Sequence, residues 1–222
     1  MNRDTPAKEP ADNPQLGDFI TLATDRMSTE EAYRLICGCV VPRPVAWITT
    51  CDQAGNINAA PFSSYNYVAH SPPMVAVNIG SRDGELKDTA RNIRATEEFV
   101  VNVATEATLE QMHACGAEYP ADVSELEALG ITTAPSSIIR PPRIIAAPIQ
   151  LECRLEQFIV LGRGLNTLYI GEVVAFHLSK EIFDGRYIDS IAMRPIARLG
   201  GPYYAALGEV FYRPMLQSPP KS

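Results

Sequence analysis

Apolar, β-branched and aromatic residues fall in short runs along this chain, each closed by proline, glycine, asparagine or serine, the pattern of strands separated by turns. VVPRPVAWITT (40–50) reads as a strand that begins after its prolines. CDQAGN (51–56) follows as a turn in which Gly55 and Asn56 can adopt positive φ. INAAPFSSYNYVA (57–69) returns as a second strand, irregular at Pro61 because proline cannot donate to a ladder. PPMVAVNI (72–79) is a third. It is apolar on both faces through its middle, so it is expected to be covered on both sides, as in a barrel wall or at a subunit contact.

Helical stretches are shorter. STEEAYRLI (28–36) predicts a helix capped by Ser28 or Thr29, with glutamates at the positive end of its dipole. DTARNIRATEE (88–98) predicts a second helix. EATLEQMHAC (106–115) and DVSELEALG (122–130) predict two more, the last ended by Gly130. FVVNVAT (99–105) is strand-like, and the proline-broken SSIIRPPRIIAAP (136–148) is expected to cross the surface in extended form. IQLECRLEQFIVL (149–161) and NTLYIGEVVAFHLS (166–179), joined across Gly162-Arg163-Gly164, are the longest strand-like runs and should pair antiparallel. Beyond residue 180 the pattern is mixed, with glycine and tyrosine concentrated near 200–212. Strands outnumber helices and arrive in adjacent pairs, without βαβ alternation. The chain therefore predicts a mainly β (α+β) fold, an antiparallel barrel with small inserted helices.

Composition narrows the function classes. The chain has 222 residues, 46% hydrophobic and 20% charged, ordinary for a globular protein able to bury a core without staples. A formal net charge of −7 without a basic run argues against a nucleic-acid surface. No apolar run approaches the roughly 18 residues of a membrane span. The opening residues, polar and proline-bearing, lack the apolar centre of a signal peptide. Residues 1–20 are expected to be a mobile arm ahead of a domain at 21–222, in a cytoplasmic protein. Five cysteines, an odd number, are expected to be reduced and mostly buried, and Cys37-Gly38-Cys39 lacks metal or redox spacing.

Several catalytic schemes find no support. His70, His113 and His177 stand far apart without metal-ligand spacing, and neither a GxSxG elbow nor a phosphate-binding GxxxxGK[ST] loop occurs. The stretch from 43 to 92 is richer. Thr49 and Thr50 offer two adjacent hydroxyls. Ala60 and Pro61 follow Asn58 and Ala59, and small residues beside a disrupted strand let a flat ligand approach backbone N–H and C=O groups. Phe62 follows, and Ser63, Ser64 and Asn66 add short polar arms; taken alone, this stretch reads first as a plain bulged edge strand. In SRDGELKDTARNI (81–93), Arg82 supplies a planar fork and Lys87 a point charge, just before a helix whose free N–H groups attract an anion. Asp88 is acidic and reads as the N-cap, or as the residue that fixes Lys87 and Arg91. The same cations could instead be solvated or paired with Asp83 and Glu85.

The order of these pieces resembles the flavin reductase-like, FMN-binding split-barrel family, in particular its flavoredoxin-type branch. The motifs are PRPVAWITT, N-x-A-P-F-S, SR followed by KDT-x-x-NI, EFVVNV, P-I-x-LECRL, GEVVAFH and RLGG-x-x-Y, in order from about residue 30 to 212. The resemblance implies a split barrel that dimerises, with one FMN per subunit near the dimer interface. It implies that Thr49, Thr50 and Ala60 to Ser64, with Asn66 nearby, border the flavin ring and ribityl chain. Ser81, Arg82, Lys87, Asp88 and Thr89 would surround the phosphate, with Arg198, Gly200, Gly201 and Tyr203 in the late element. It further implies an NAD(P)H-dependent flavin reductase that passes electrons through FMN to a flavin, oxygen or another acceptor. Some relatives carry a GDH motif implicated in nicotinamide binding where this chain reads YIGEVVAFH, a departure that favours an alternative, an FMN-containing electron carrier serving a protein partner.

Overall fold

The two longest apolar runs become the two longest strands, and the rest of the sheet is laid out on them. The structure, a computed structural model, describes residues 16–120, 123–163 and 166–214. The N-terminal half contains α1 (Thr29–Cys39), β1 (Arg43–Pro44), β2 (Ala46–Cys51), β3 (Ile57–Phe62), β4 (Tyr65–His70), β5 (Pro73–Gly80), α2 (Asp88–Thr96) and β6 (Glu98–Val103). After it come α3 (Leu109–Ala114), α4 (Glu125–Ala128), β7 (Thr133–Ala134), β8 (Arg143–Ile144), β9 (Ile149–Leu161) and β10 (Asn166–Leu178). The chain closes with α5 (Ser190–Met193), β11 (Ile196–Arg198) and β12 (Tyr204–Ala206). The arm expected over residues 1–20 lies outside the described residues as far as 15, and Leu16–Asp18 is a short 3-10 turn. No helix among the described residues is long and apolar enough to cross a membrane.

Seven strands form one sheet in the order β3-β2-β6-β9-β10-β5-β4, every pair antiparallel. β3 and β4 stand at opposite ends of that order, yet only Ser63 and Ser64 join them. At about 3.5 Å per residue, so short a link forces the two sheet edges side by side. The sheet is thus a barrel left open along one seam, a split barrel. The single strand expected over 57–69 is cut at this seam into β3 and β4. A second small sheet, β1-β11-β12, lies beyond it.

Side chains alternate across β2 into two cores. Ala46 and Ile48 join Val77, Phe99, Val101, Leu151 and Tyr169 inside the barrel. Val45 and Trp47 join Met112, Leu126, Ile144 and Ile196 on the outer face, under α3, α4 and the crossing segment 136–148. All six residues of β2 are therefore buried. The helices are capped mostly as expected: Ser28 accepts from the Glu31 N–H and Glu31 returns the bond, a full capping box.

β9 and β10 lose register between Ile170 and Gly171, where the barrel wall bends over Phe99. A Cβ on Gly171 would stand 2.4 Å from Phe99 Cζ. Gly171→Ala should therefore destabilise the protein by about 1–3 kcal/mol through overpacking, read as a lower urea midpoint at unchanged slope.

Candidate functional site

The charge-rich segment after β5 resolves into a turn and a helix start. Arg82 N–H donates to Glu85 O at 2.9 Å and Glu85 N–H returns the bond at 2.8 Å. Between them Asp83 and Gly84 have φ of 50° and 82°, the doubly left-handed backbone of a tight two-residue hairpin, for which Asp-Gly is suited. Leu86 then turns the chain inward and Lys87 becomes the N-cap of α2, in extended conformation and without a side-chain cap. Asp88 is the first helical residue rather than the cap, and its carboxylate pairs with Arg91. The α2 N-terminus is thus left without an acidic cap.

A cavity of about 340 Å³ opens here, between the helix start, Ala60 to Phe62 of β3, and residues 115–119. Arg82, Lys87 and Thr89 all line it. Lys87 is half-buried and forms no ion pair among the described residues. Burial depresses its ammonium pKa, and repulsion from Arg82 adds to this against a weaker pull from Glu118. Arg82 itself pairs with Glu118 at 3.3 Å rather than with Asp83 or Glu85. The floor is polar. Thr89 Oγ1 lies 2.9 Å from the Asn58 side-chain amide, whose NH2 can donate to Glu125 Oε1 at 3.2 Å. Glu125 Oε2 accepts from Ala59 N–H at 2.9 Å. Burial pushes the Glu125 carboxyl above the usual range, opposed by that bond.

Pro61, Phe62, Gly116 and Ala117 also line a broader cavity of about 840 Å³, so the two form one groove across β3. Its broad end is walled by Tyr33 and Cys37 of α1, by Arg43, Ser63 and His113, and by Arg198 and Tyr204. Tyr204 Oη is 3.3 Å from His113 Nδ1, and the Arg198 guanidinium stacks over the Tyr204 ring at 4.6 Å.

The groove gathers Ala60, Pro61, Phe62, Ser63, Arg82, Lys87, Asp88, Thr89 and Arg198. It does not gather the others. Thr49 and Thr50 are fully buried because β2 is covered on both faces. Thr49 Oγ1 donates to Pro142 O at 2.6 Å, and Thr50 Oγ1 accepts from Asn92 Nδ2 at 3.1 Å, so their hydroxyls hold the crossing segment and α2 in place. Ser64 and Asn66 are exposed beyond the seam, Asn66 accepting from Tyr67 N–H at 2.9 Å. Ser81 is half-buried outside the lining residues. Tyr203 is 67% exposed, and its neighbour Tyr204 takes the inward position. In RLGG-x-x-Y the final tyrosine falls on Tyr204, which is the signal that identifies it. Arg43 falls inside the PRPVAWITT motif, while His113, Gly116 and Glu125 carry no local signal, since they meet the groove only through long-range packing.

Residues 38–192 match the family model described as flavin reductase like domain. The chain belongs to that family. This flavin reductase-like protein is 39% identical over 193 residues to YwrF of Bacillus subtilis, covering 84% of this chain and 94% of that one. It superposes on nitrilotriacetate monooxygenase component B from Bacillus cereus with a TM-score of 0.85 and 35% identity, covering 88% of this chain and 98% of the other. It superposes on 2-nitrobenzoate 2-nitroreductase NbaA of Pseudomonas fluorescens with a TM-score of 0.79 and 34% identity, covering 90% and 97%. The split barrel and a family of oxidoreductases working with flavin are established by these matches.

Proposed function

We propose that this protein is an FMN-binding, NAD(P)H-dependent flavin reductase, passing electrons through bound FMN to a flavin, oxygen or another acceptor. The observation that carries the reading is the half-buried ammonium of Lys87, without an ion pair among the described residues, at the start of α2 and at the narrow end of a groove whose broad end is ring-lined. A dianionic phosphate at this end would meet Arg82 and Lys87 in a lining that also holds Asp83, Glu85, Asp88, Glu118 and Glu125, with Glu118 turned to Arg82 and Asp88 to Arg91. Among the described residues Lys87 has no carboxylate partner, and no side chain caps the first-turn N–H groups of α2. Lys87, Arg82 and Thr89 would hold the phosphate, Ala60 to Ser63 would border the ring, and Arg198 would stand beside it. Thr50 acts from behind, fixing α2 through Asn92. When bound, FMN supplies the two-electron chemistry, and the protein supplies binding, orientation and electrostatics.

The names of the two structural relatives, a monooxygenase component and a nitroreductase, are both those of oxidoreductases, which supports the general class. A homodimer is part of the proposal. It is supported by α1, none of whose residues is buried, with Tyr33, Leu35 and Ile36 exposed while Tyr33 and Cys37 line the groove. Sedimentation as a monomer at micromolar concentration would remove this part.

The reading YIGEVVAFH in β10, in place of a GDH motif, favours a second possibility, an electron carrier that takes its electrons from a protein partner. Anaerobic rapid mixing of the FMN-loaded protein with NADH and with NADPH decides between them. Bleaching of the visible flavin band by either nucleotide is expected for the reductase. A band unchanged by both at about millimolar concentration, the weak end of specific binding, identifies the carrier.

A further inference from the structure

We propose that the broad end of the groove seats an anionic aromatic substrate, a planar ring bearing a carboxylate, with its charge against Arg198 and Arg43. This rests on the FMN reading, because the second substrate would lie beside the flavin.

The first observation is uncompensated charge. Arg43 is fixed by three carbonyls, those of Cys37 at 2.5 Å, Val40 at 2.6 Å and Leu199 at 3.0 Å. Arg198 donates to Gly201 O at 2.7 Å and stacks on Tyr204. Both are half-buried, and neither forms an ion pair with a carboxylate among the described residues. Carbonyl oxygens satisfy N–H groups without cancelling a formal charge, so partly desolvating two guanidiniums here has a cost that a bound anion would recover.

Composition of the wall is the second observation. Among the described residues no aspartate or glutamate lines the broad end, although the chain carries a net charge of −7. Phe62, Tyr33 and Tyr204 bring aromatic side chains to the wall, the Tyr204 ring carrying Arg198 on its face and His113 at its edge. Third is room. A volume of about 840 Å³ lies in the upper part of the range of roughly 300–1,000 Å³ for whole ligand sites. With the phosphate in the adjoining narrow cavity, the broad end has space for a flavin ring and a second flat molecule.

The test compares two isosteres on the FMN-saturated protein, benzoate and benzamide, through the perturbation each causes in the bound flavin's visible spectrum. Benzoate is expected to bind at least about tenfold more tightly than benzamide, the scale of one charge-assisted contact. Arg198→Gln should abolish that preference and Arg198→Lys should retain part of it. Equal binding of the two isosteres, no spectral change with either up to about 10 mM, or a preference that survives Arg198→Gln overturns the proposal. The equal-binding result would assign the two guanidiniums to the flavin's own charge. The isostere comparison stands on the wild-type protein alone, should Arg198→Gln fail to fold. A protein that takes up no FMN overturns the reading beneath the proposal, and the proposal with it.

Discussion

Lys87→Ala should weaken FMN binding by about 1–3 kcal/mol, roughly five- to 150-fold, while leaving the fold intact. The ammonium is half-buried, forms no ion pair with a carboxylate among the described residues, and stands at the start of α2 beside Thr89. Its burial and the neighbouring Arg82 both disfavour its charged form, against a weaker pull from Glu118, and a bound phosphate would oppose both effects. Arg82→Ala should act in the same direction but less, because Arg82 already pairs with Glu118 and its side chain is 50% exposed. Calorimetric titration of both variants with FMN checks the order. Unchanged affinity in the two would place the phosphate elsewhere.

Glu152→Ala should be the most damaging single change to stability, costing about 3–5 kcal/mol. For a chain of this length that is a fall in Tm of very roughly 6–20 °C. Glu152 is fully buried on β9. It accepts from the N–H groups of Ser137 at 2.6 Å, Ile138 at 2.7 Å and Ile139 at 3.2 Å, and from His177 Nε2 at 2.6 Å. Its removal leaves three backbone donors and an imidazole without their acceptor, and releases the segment that covers Thr49. Burial alone would raise its carboxyl pKa, but the bonds from Ser137, His177, Ile138 and Ile139 outweigh burial and hold it below the usual range. The sign follows from linkage. With the folded pKa depressed, this stabilisation is present above the unfolded value, near 4.3, and is lost as pH falls through the folded value. Thermal unfolding followed from pH 7 down to pH 3 should show part of the acid destabilisation vanish in Glu152→Gln. An unaltered acid profile would remove Glu152 from that role.

Much of the barrel was legible because its strongest signals are local. The runs at 149–161 and 166–178 needed only β-propensity and a glycine turn to be read, and they became β9 and β10. The proposed anion site was suggested by local signals too: its cations, its Asp-Gly turn and its helix start lie within nine residues. What the chain concealed depends on packing across distance. Thr49 and Thr50 look like ligand hydroxyls, but β2 is sandwiched between two cores, and their partners Pro142 and Asn92 lie far along the sequence. Tyr203 and Tyr204 differ by one position, and in a strand one position exchanges the two faces. Glu125 gave no signal and Glu152 only its place inside LECRL, because a buried carboxylate announces its role only through the distant N–H groups it satisfies.

Comparing FMN with riboflavin on the flavin-free wild-type protein tests the phosphate cradle most directly, since the two ligands differ only in the group that Lys87, Arg82 and Thr89 are assigned to hold. FMN should bind with one site per chain and at least about a hundredfold more tightly than riboflavin, the sum expected for two charge-assisted contacts. Equal affinity for the two, or binding of neither, would contradict the assignment.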